Sequence, residues 1–172
     1  MNTSTATTAA ELRFSLRNLP LLEGGATMEL VGLTPMLWAH SKVYSSGGEN
    51  ALHSHDIEDH MFLVLQGEAI FYFADESTTT VRSYEGVTLP RGTKYRFKAN
   101  EAHGNLVMLR VGAANVKDSS DLHPKFAIPN EALSSRSDSQ GKAAPGDAAK
   151  NGTAAQPTIY KPGAFFAPDQ GN

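Results

Sequence analysis

The sequence predicts an all-β fold, and three observations carry that prediction. From Glu11 to about Asn130, short apolar runs alternate with Gly, Pro, Asn and Asp punctuation, as a chain of many short strands does. The intervening segments SGGEN, ADEST, PRGT and ANEAHG are turn signals. No segment offers three clean turns of helical periodicity.

Taken in order, residues 1–10 are Thr- and Ala-rich and are expected to be disordered. Strands are expected at Met28 to Leu33, Met36 to Tyr44, Ala51 to His55, Met61 to Gln66 and Glu68 to Ala74. More follow at Thr79 to Ser83, Gly86 to Leu89, Lys94 to Lys98 and Asn105 to Gly112. That spacing favours a sandwich or barrel, with the domain spanning residues 11–132. Residues 133–157 are Ser, Gly, Ala and Pro with almost no large apolar side chain, and read as a flexible linker. In the last segment, 158–172, Ile159, Tyr160, Phe165 and Phe166 reappear beside prolines. Such an apolar end is expected to dock, on the domain's own open edge or on a partner subunit, or else to remain a sticky tail.

Composition removes several function classes. At 172 residues there is room for one core. The net charge of −3, from 15 Lys and Arg against 18 Asp and Glu, comes with no basic block and argues against nucleic acid as a partner. No apolar run is long enough to span a bilayer, and MNTSTATTAAELRF has neither a charged n-region nor an apolar h-region, so the expected location is the cytoplasm and not a membrane. Cysteine is absent, which removes disulfides, thiolate metal sites and thiol nucleophiles. Any site chemistry falls to His, carboxylates and Tyr.

The richest stretch is GGENALHSHDIEDHMFLVLQG, from Gly47 to Gly67. His53 and His55 are two apart, so on an extended strand both leave from one face and can share an ion. His60 opens the next apolar run, and a hairpin between the two would fold it back toward the first pair. Three neutral imidazoles suit Fe, Ni, Zn or Cu. A His pair on a strand is also a common solvated surface feature. The third His and the flanking glycines favour the metal reading.

These residues resemble the first motif of the cupins: Gly, five residues, His-x-His, three or four residues, Glu, six residues, Gly. Gly47, His53, His55 and Gly67 match, with His60 standing in the Glu position. Asp59 would fit a shorter spacing but leaves the final glycine out of step and points to the opposite face. The second motif, Pro-x-Gly-x-x-His-x-x-x-Asn, is matched by Pro90 and Gly92, with Tyr95 in place of the His and Asn100 one position late. The resemblance spans about residues 28–112. It implies a double-stranded β-helix, or jelly-roll, barrel, commonly a homodimer, holding one divalent transition metal per chain in its mouth. Iron is the first expectation, with Zn, Ni, Mn or Cu as alternatives, and His53, His55 and His60 are the expected ligands.

Losing the motif Glu leaves the metal charge unbalanced, so an anionic, bidentate small-molecule substrate is expected. Tyr95 is the catalytic candidate, as phenolate ligand or as acid/base beside the metal, against the plainer reading of a packed, hydrogen-bonded phenol. Trp38, His40, Phe62 and Arg110 are expected in the substrate pocket, Arg110 as a fork for a carboxylate if its strand phase points it inward. Glu58 and Asp59 are either hydrogen-bond acceptors for an imidazole or solvated turn residues. His103 reads as an exposed turn residue, and nothing supports a role for His123. Three functions follow. The first is a three-His non-haem dioxygenase, the second an oxygen-independent lyase or isomerase using Tyr95, and the third a non-catalytic small-molecule-binding cupin.

Overall fold

The computed structural model describes residues 13–34, 36–55, 58–114 and 157–168. The expected disordered start, most of the linker and His123 lie outside them. Among the described residues eleven strands form, β1 (Pro20–Gly24), β2 (Ala26–Leu33), β3 (Leu37–Tyr44), β4 (Gly48–His53), β5 (Glu58–Gln66) and β6 (Glu68–Phe73), then β7 (Thr78–Arg82), β8 (Gly86–Leu89), β9 (Tyr95–Ala99), β10 (Leu106–Ala114) and β11 (Ile159–Phe165). The nine expected strands are present as β2 to β10, with ends shifted by a few residues. Among the described residues no helix is long and apolar enough to cross a membrane.

The strands make a five-stranded sheet, β2-β3-β10-β5-β8, and a four-stranded sheet, β4-β9-β6-β7, every pairing antiparallel. One core joins them: Tyr44, Phe62, Val64, Leu89, Leu106 and Met108 from the first pack with Ala69, Phe71, Val81, Tyr95, Phe97 and Ala99 from the second. Each fully buried phenylalanine there contributes about 1.5–3 kcal/mol by leaving water. Alternation sets the phase on β5, where Glu58, His60, Phe62 and Val64 are buried and Met61 between them is exposed. Gly67, the last glycine of the first motif, turns the chain from β5 to β6 at φ 80°, and a Cβ there would lie 2.6 Å from the Asn105 carbonyl oxygen.

Two features depart from the sequence reading. The hairpin expected between β4 and β5 does not form, because β4 pairs with β9 in one sheet and β5 with β10 and β8 in the other. His60 therefore meets the HxH pair across the barrel interior and not along a ladder. The other is β1, a strand the sequence did not announce. It pairs antiparallel with β11, bringing Pro20 opposite Phe165 and Leu22 opposite Tyr160. Behind this pair Leu19, Leu22, Val43, Val107 and Phe166 form a second apolar cluster.

Candidate metal centre

Three strands and one loop converge at one end of the interior. His53 closes β4, directly opposite Tyr95 of β9, with ring centroids 4.7 Å apart. His55 follows in the loop, and His60 comes from the facing sheet until the two rings stand 4.2 Å apart. Glu58 lies two residues before His60 on the same inward face of β5 and is 1% exposed. Its Oε2 accepts from His60 Nε2 at 3.1 Å and lies 4.0 Å from His55 Nδ1. One ligand atom from each of His55, Glu58 and His60 falls within 4.8 Å of the others, a group that could hold a metal ion.

The fit to a metal rests on donor chemistry. Imidazole nitrogen and carboxylate oxygen bound at about 2.0–2.2 Å to one ion lie roughly 3.0–3.4 Å apart. The Glu58 to His60 distance already matches, whereas His55 Nδ1, 4.0 Å from Glu58 Oε2, would have to move closer. Burial first, then the neighbouring charges, holds His55 down to about 2 and His60 down to about 3, so both are neutral at physiological pH, as a ligand must be.

His53 is oriented differently. Its Nδ1 donates to the Ala51 carbonyl at 2.9 Å, and Nε2 stands 3.4 Å from Glu49 Oε2. It lines the mouth beside His55, 5.1 Å between ring centroids. Asp59 faces outward, half-exposed, where it accepts from the Arg91 backbone and side chain. His103 sits exposed in the short 3-10 turn after β9.

Arg110 settles its own phase. It lies opposite Phe62 on β5 and His40 on β3 and is 1% exposed. Its Nη2 approaches His55 Nε2 at 3.2 Å and His60 Nδ1 at 3.4 Å, while Nη1 reaches Glu49 Oε1 at 3.8 Å. The guanidinium stacks over Trp38 at 4.8 Å. Trp38 reaches that position because Gly112, its partner on β10, has no side chain: a Cβ there would collide with the indole ring. Trp38 also meets His40 and His60 edge-on, at 5.0 and 5.3 Å. Phe62 is fully buried and belongs to the apolar core just below, against Phe71 and Phe97.

Tyr95 is 1% exposed, with its hydroxyl 3.4 Å from His60 Nδ1. Burial and the Glu49 carboxylate push its pKa well above the ordinary phenol value, so without a metal it is a neutral hydroxyl. Two further residues escaped the sequence reading. Lys42 of β3 and Glu49 of β4 form a buried ion pair at 2.7 Å. Burial would raise Glu49, but Lys42, Arg110 and His53 outweigh it and hold it at about 2. Burial lowers Lys42 to about 8 against the pull of Glu49. Glu49, Ala51 and His53 share one parity on β4, and Trp38, His40 and Lys42 another on β3. That period of two was the available signal.

No family model matches the chain. A 52-residue segment is 33% identical to the uncharacterized protein YdbB of Bacillus subtilis, over 30% of this chain and 46% of that protein, so the match spans about half of the relative's length. Among solved structures, the chain is similar to the cupin domain of Schizosaccharomyces pombe Cnp3, at TM-score 0.52 and 18% identity, over 60% of this chain and 70% of that one. KdgF from Halomonas sp. aligns at TM-score 0.48 and 19% identity, over 55% and 83% of the two chains. A Klebsiella pneumoniae protein with a double-stranded β-helix domain aligns at TM-score 0.47 and 18% identity, over 65% and 86%. The likeness to the Cnp3 domain concerns the fold.

Proposed function

We propose that this chain, a cupin by fold, is a metal-dependent enzyme that oxidises a small anionic organic substrate with dioxygen, its metal held by His55, Glu58 and His60. The carrying observation is the convergence of those three donor groups inside the barrel. Two imidazoles and one carboxylate with open positions are the donor set of non-haem Fe(II) oxygenases, so iron is the metal proposed. When bound, it would supply open coordination for substrate and oxygen. The surrounding residues supply the rest. Glu58 restores the negative charge that is missing at position 60, Tyr95 holds the His60 ring through Nδ1, and Trp38 and Phe62 keep water from the inner side.

The test is elemental analysis of protein purified without chelator under nitrogen, followed by oxygen-electrode measurements on the iron-loaded protein with enolisable keto acids and catechol-like acids. About one metal per chain, lost in Glu58→Ala and His60→Ala, together with substrate-dependent oxygen uptake, supports the reading. Metal without oxygen uptake across the panel sinks the oxygenase step. The Tyr95 hydroxyl at 3.4 Å from His60 favours a second reading for that case, an oxygen-independent lyase or isomerase in which the neutral phenol donates a proton. Absence of metal in the parent would leave a small-molecule-binding barrel.

A further inference from the structure

We propose that Arg110 anchors a carboxylate of the substrate, and that metal binding is what releases it for that task. The inference rests on the metal reading above. It starts from the hydrogen bond between Arg110 Nη2 and His55 Nε2, at 3.2 Å. A guanidinium only donates, so His55 Nε2 must offer its lone pair and Nδ1 must carry the proton. A metal taking Nε2 uses that same lone pair. A metal taking Nδ1 shifts the ring proton to Nε2, where it faces the N–H of Arg110, donor against donor. By either route the Arg110 bond to His55 is lost. Tyr95 is not trapped in this way, because its hydroxyl can turn from donating to accepting at His60 Nδ1.

The approach of Nη2 to His60 Nδ1, at 3.4 Å, is lost in the same way once His60 takes the metal, which leaves the fork stacked on Trp38 with little else to accept from it. Its nearest carboxylate oxygen, Glu49 Oε1, is 3.8 Å away and already receives Lys42 at 2.7 Å. Arg110 Nε, fully buried, has no hydrogen-bond partner among the described residues. Charge points the same way. Without metal, Glu49 and Glu58 balance Lys42 and Arg110 in the interior. A divalent ion adds two positive charges to that balance with Glu58 as the one carboxylate of its donor group, beside a planar donor pair whose geometry suits a carboxylate. The substrate class is therefore a small carboxylate whose second oxygen function can reach the metal, bound after the metal and not before it.

Isothermal titration calorimetry with zinc, then with benzoate as a monocarboxylate probe, tests this on the full chain, on Arg110→Met and on Arg110→Lys. In the parent, benzoate should bind the zinc form at least about tenfold tighter than the metal-free form. Arg110→Met, which removes both competitor and repulsion, should bind zinc roughly tenfold tighter yet lose about tenfold or more in benzoate affinity in its zinc form. Arg110→Lys, which keeps the charge without the fork, should bind zinc near the parental level and benzoate weakly, and it decides the matter if circular dichroism shows Arg110→Met unfolded. Equal benzoate affinity with and without zinc, or parental benzoate affinity in the zinc-loaded variants, overturns the inference alone. Zinc binding that is absent, or indifferent to His55→Ala, overturns the metal reading and this inference with it.

Discussion

The two ends of one barrel interior are built from the same strands and obey opposite physics. On β5, Phe62 and Val64 enter an aromatic core with Phe71 and Phe97, whereas Glu58 and His60, one turn of the alternation earlier, enter a cluster of ionisable groups. On β10, Leu106 and Met108 belong to the first end and Arg110 to the second. Stability at the apolar end comes from area removed from water and involves no group that titrates near neutral pH or binds metal. The other end holds Arg110, Lys42, Glu49 and Glu58 at 7% exposure or less, which is tolerable only while each charge keeps its partners. The difference teaches how such a cluster is held: a dry wall of aromatic rings fixes the frame, and the groups it fixes are costly ones.

Acid should separate the two ends most strongly. His55 and His60 are held near 2 and 3, against 6.5 in the unfolded chain. Between pH 6.5 and about 3 the unfolded chain therefore binds protons that the folded chain refuses, and stability falls as pH drops. Glu49, held near 2 against 4.5, adds to the same trend below about pH 4.5. Each proton contributes about 1.4 kcal/mol per pH unit, so urea melts of the metal-free protein should steepen in their pH dependence below 6.5. His60→Phe should flatten the slope by about one proton, and Phe71→Leu should leave it untouched. A slope unchanged by His60→Phe would mean that the imidazole charges freely inside the barrel.

Glu49→Gln is next. It leaves Lys42 and Arg110 buried without their shared carboxylate and should cost about 3–5 kcal/mol, against about 1–1.5 kcal/mol for Phe71→Leu. Replacing Lys42 and Glu49 together by Met should cost less than Glu49→Gln alone, because only Arg110, and not Lys42 as well, then loses its carboxylate. Gly112→Ala follows, at about 1–3 kcal/mol, since the new methyl must push Trp38 off its seat and with it the face on which Arg110 stacks. Near-ultraviolet circular dichroism, with Trp38 the one indole, reads that displacement directly.

The fold was more legible than the site, for a physical reason. Strands announce themselves by local alternation and turn residues, so β2 to β10 could be read from the chain, whereas β1 exists because β11 returns from the far end to pair with it. The imidazoles were found by spacing, but which groups face them depends on which sheet each strand joins. Pairing β4 with β9 and β5 with β10 put Glu58 and Arg110 beside His55 and His60, and no local pattern states that choice. Glu58 could be read as an imidazole's acceptor or as a turn residue because it sits in the mostly acidic run DIED, and only the parity it shares with His60 distinguishes it from Asp59.

The smallest expected effect on stability is the most discriminating for chemistry. Tyr95→Phe removes one long hydrogen bond, 3.4 Å to His60 Nδ1, and keeps the ring that packs on Phe62 and Phe71. Its cost should stay near or below about 1 kcal/mol, and metal content should be unchanged. If the phenol only steadies the imidazole, substrate-dependent oxygen uptake should persist within a few-fold. A phenol that carries the proton in turnover would take about a hundredfold or more of the rate with it, because general acid catalysis contributes on that order. Equal folding and equal metal content make the rate alone the arbiter, so this single hydroxyl decides whether the proposed chemistry, resting on a metal and Arg110, uses Tyr95 as well.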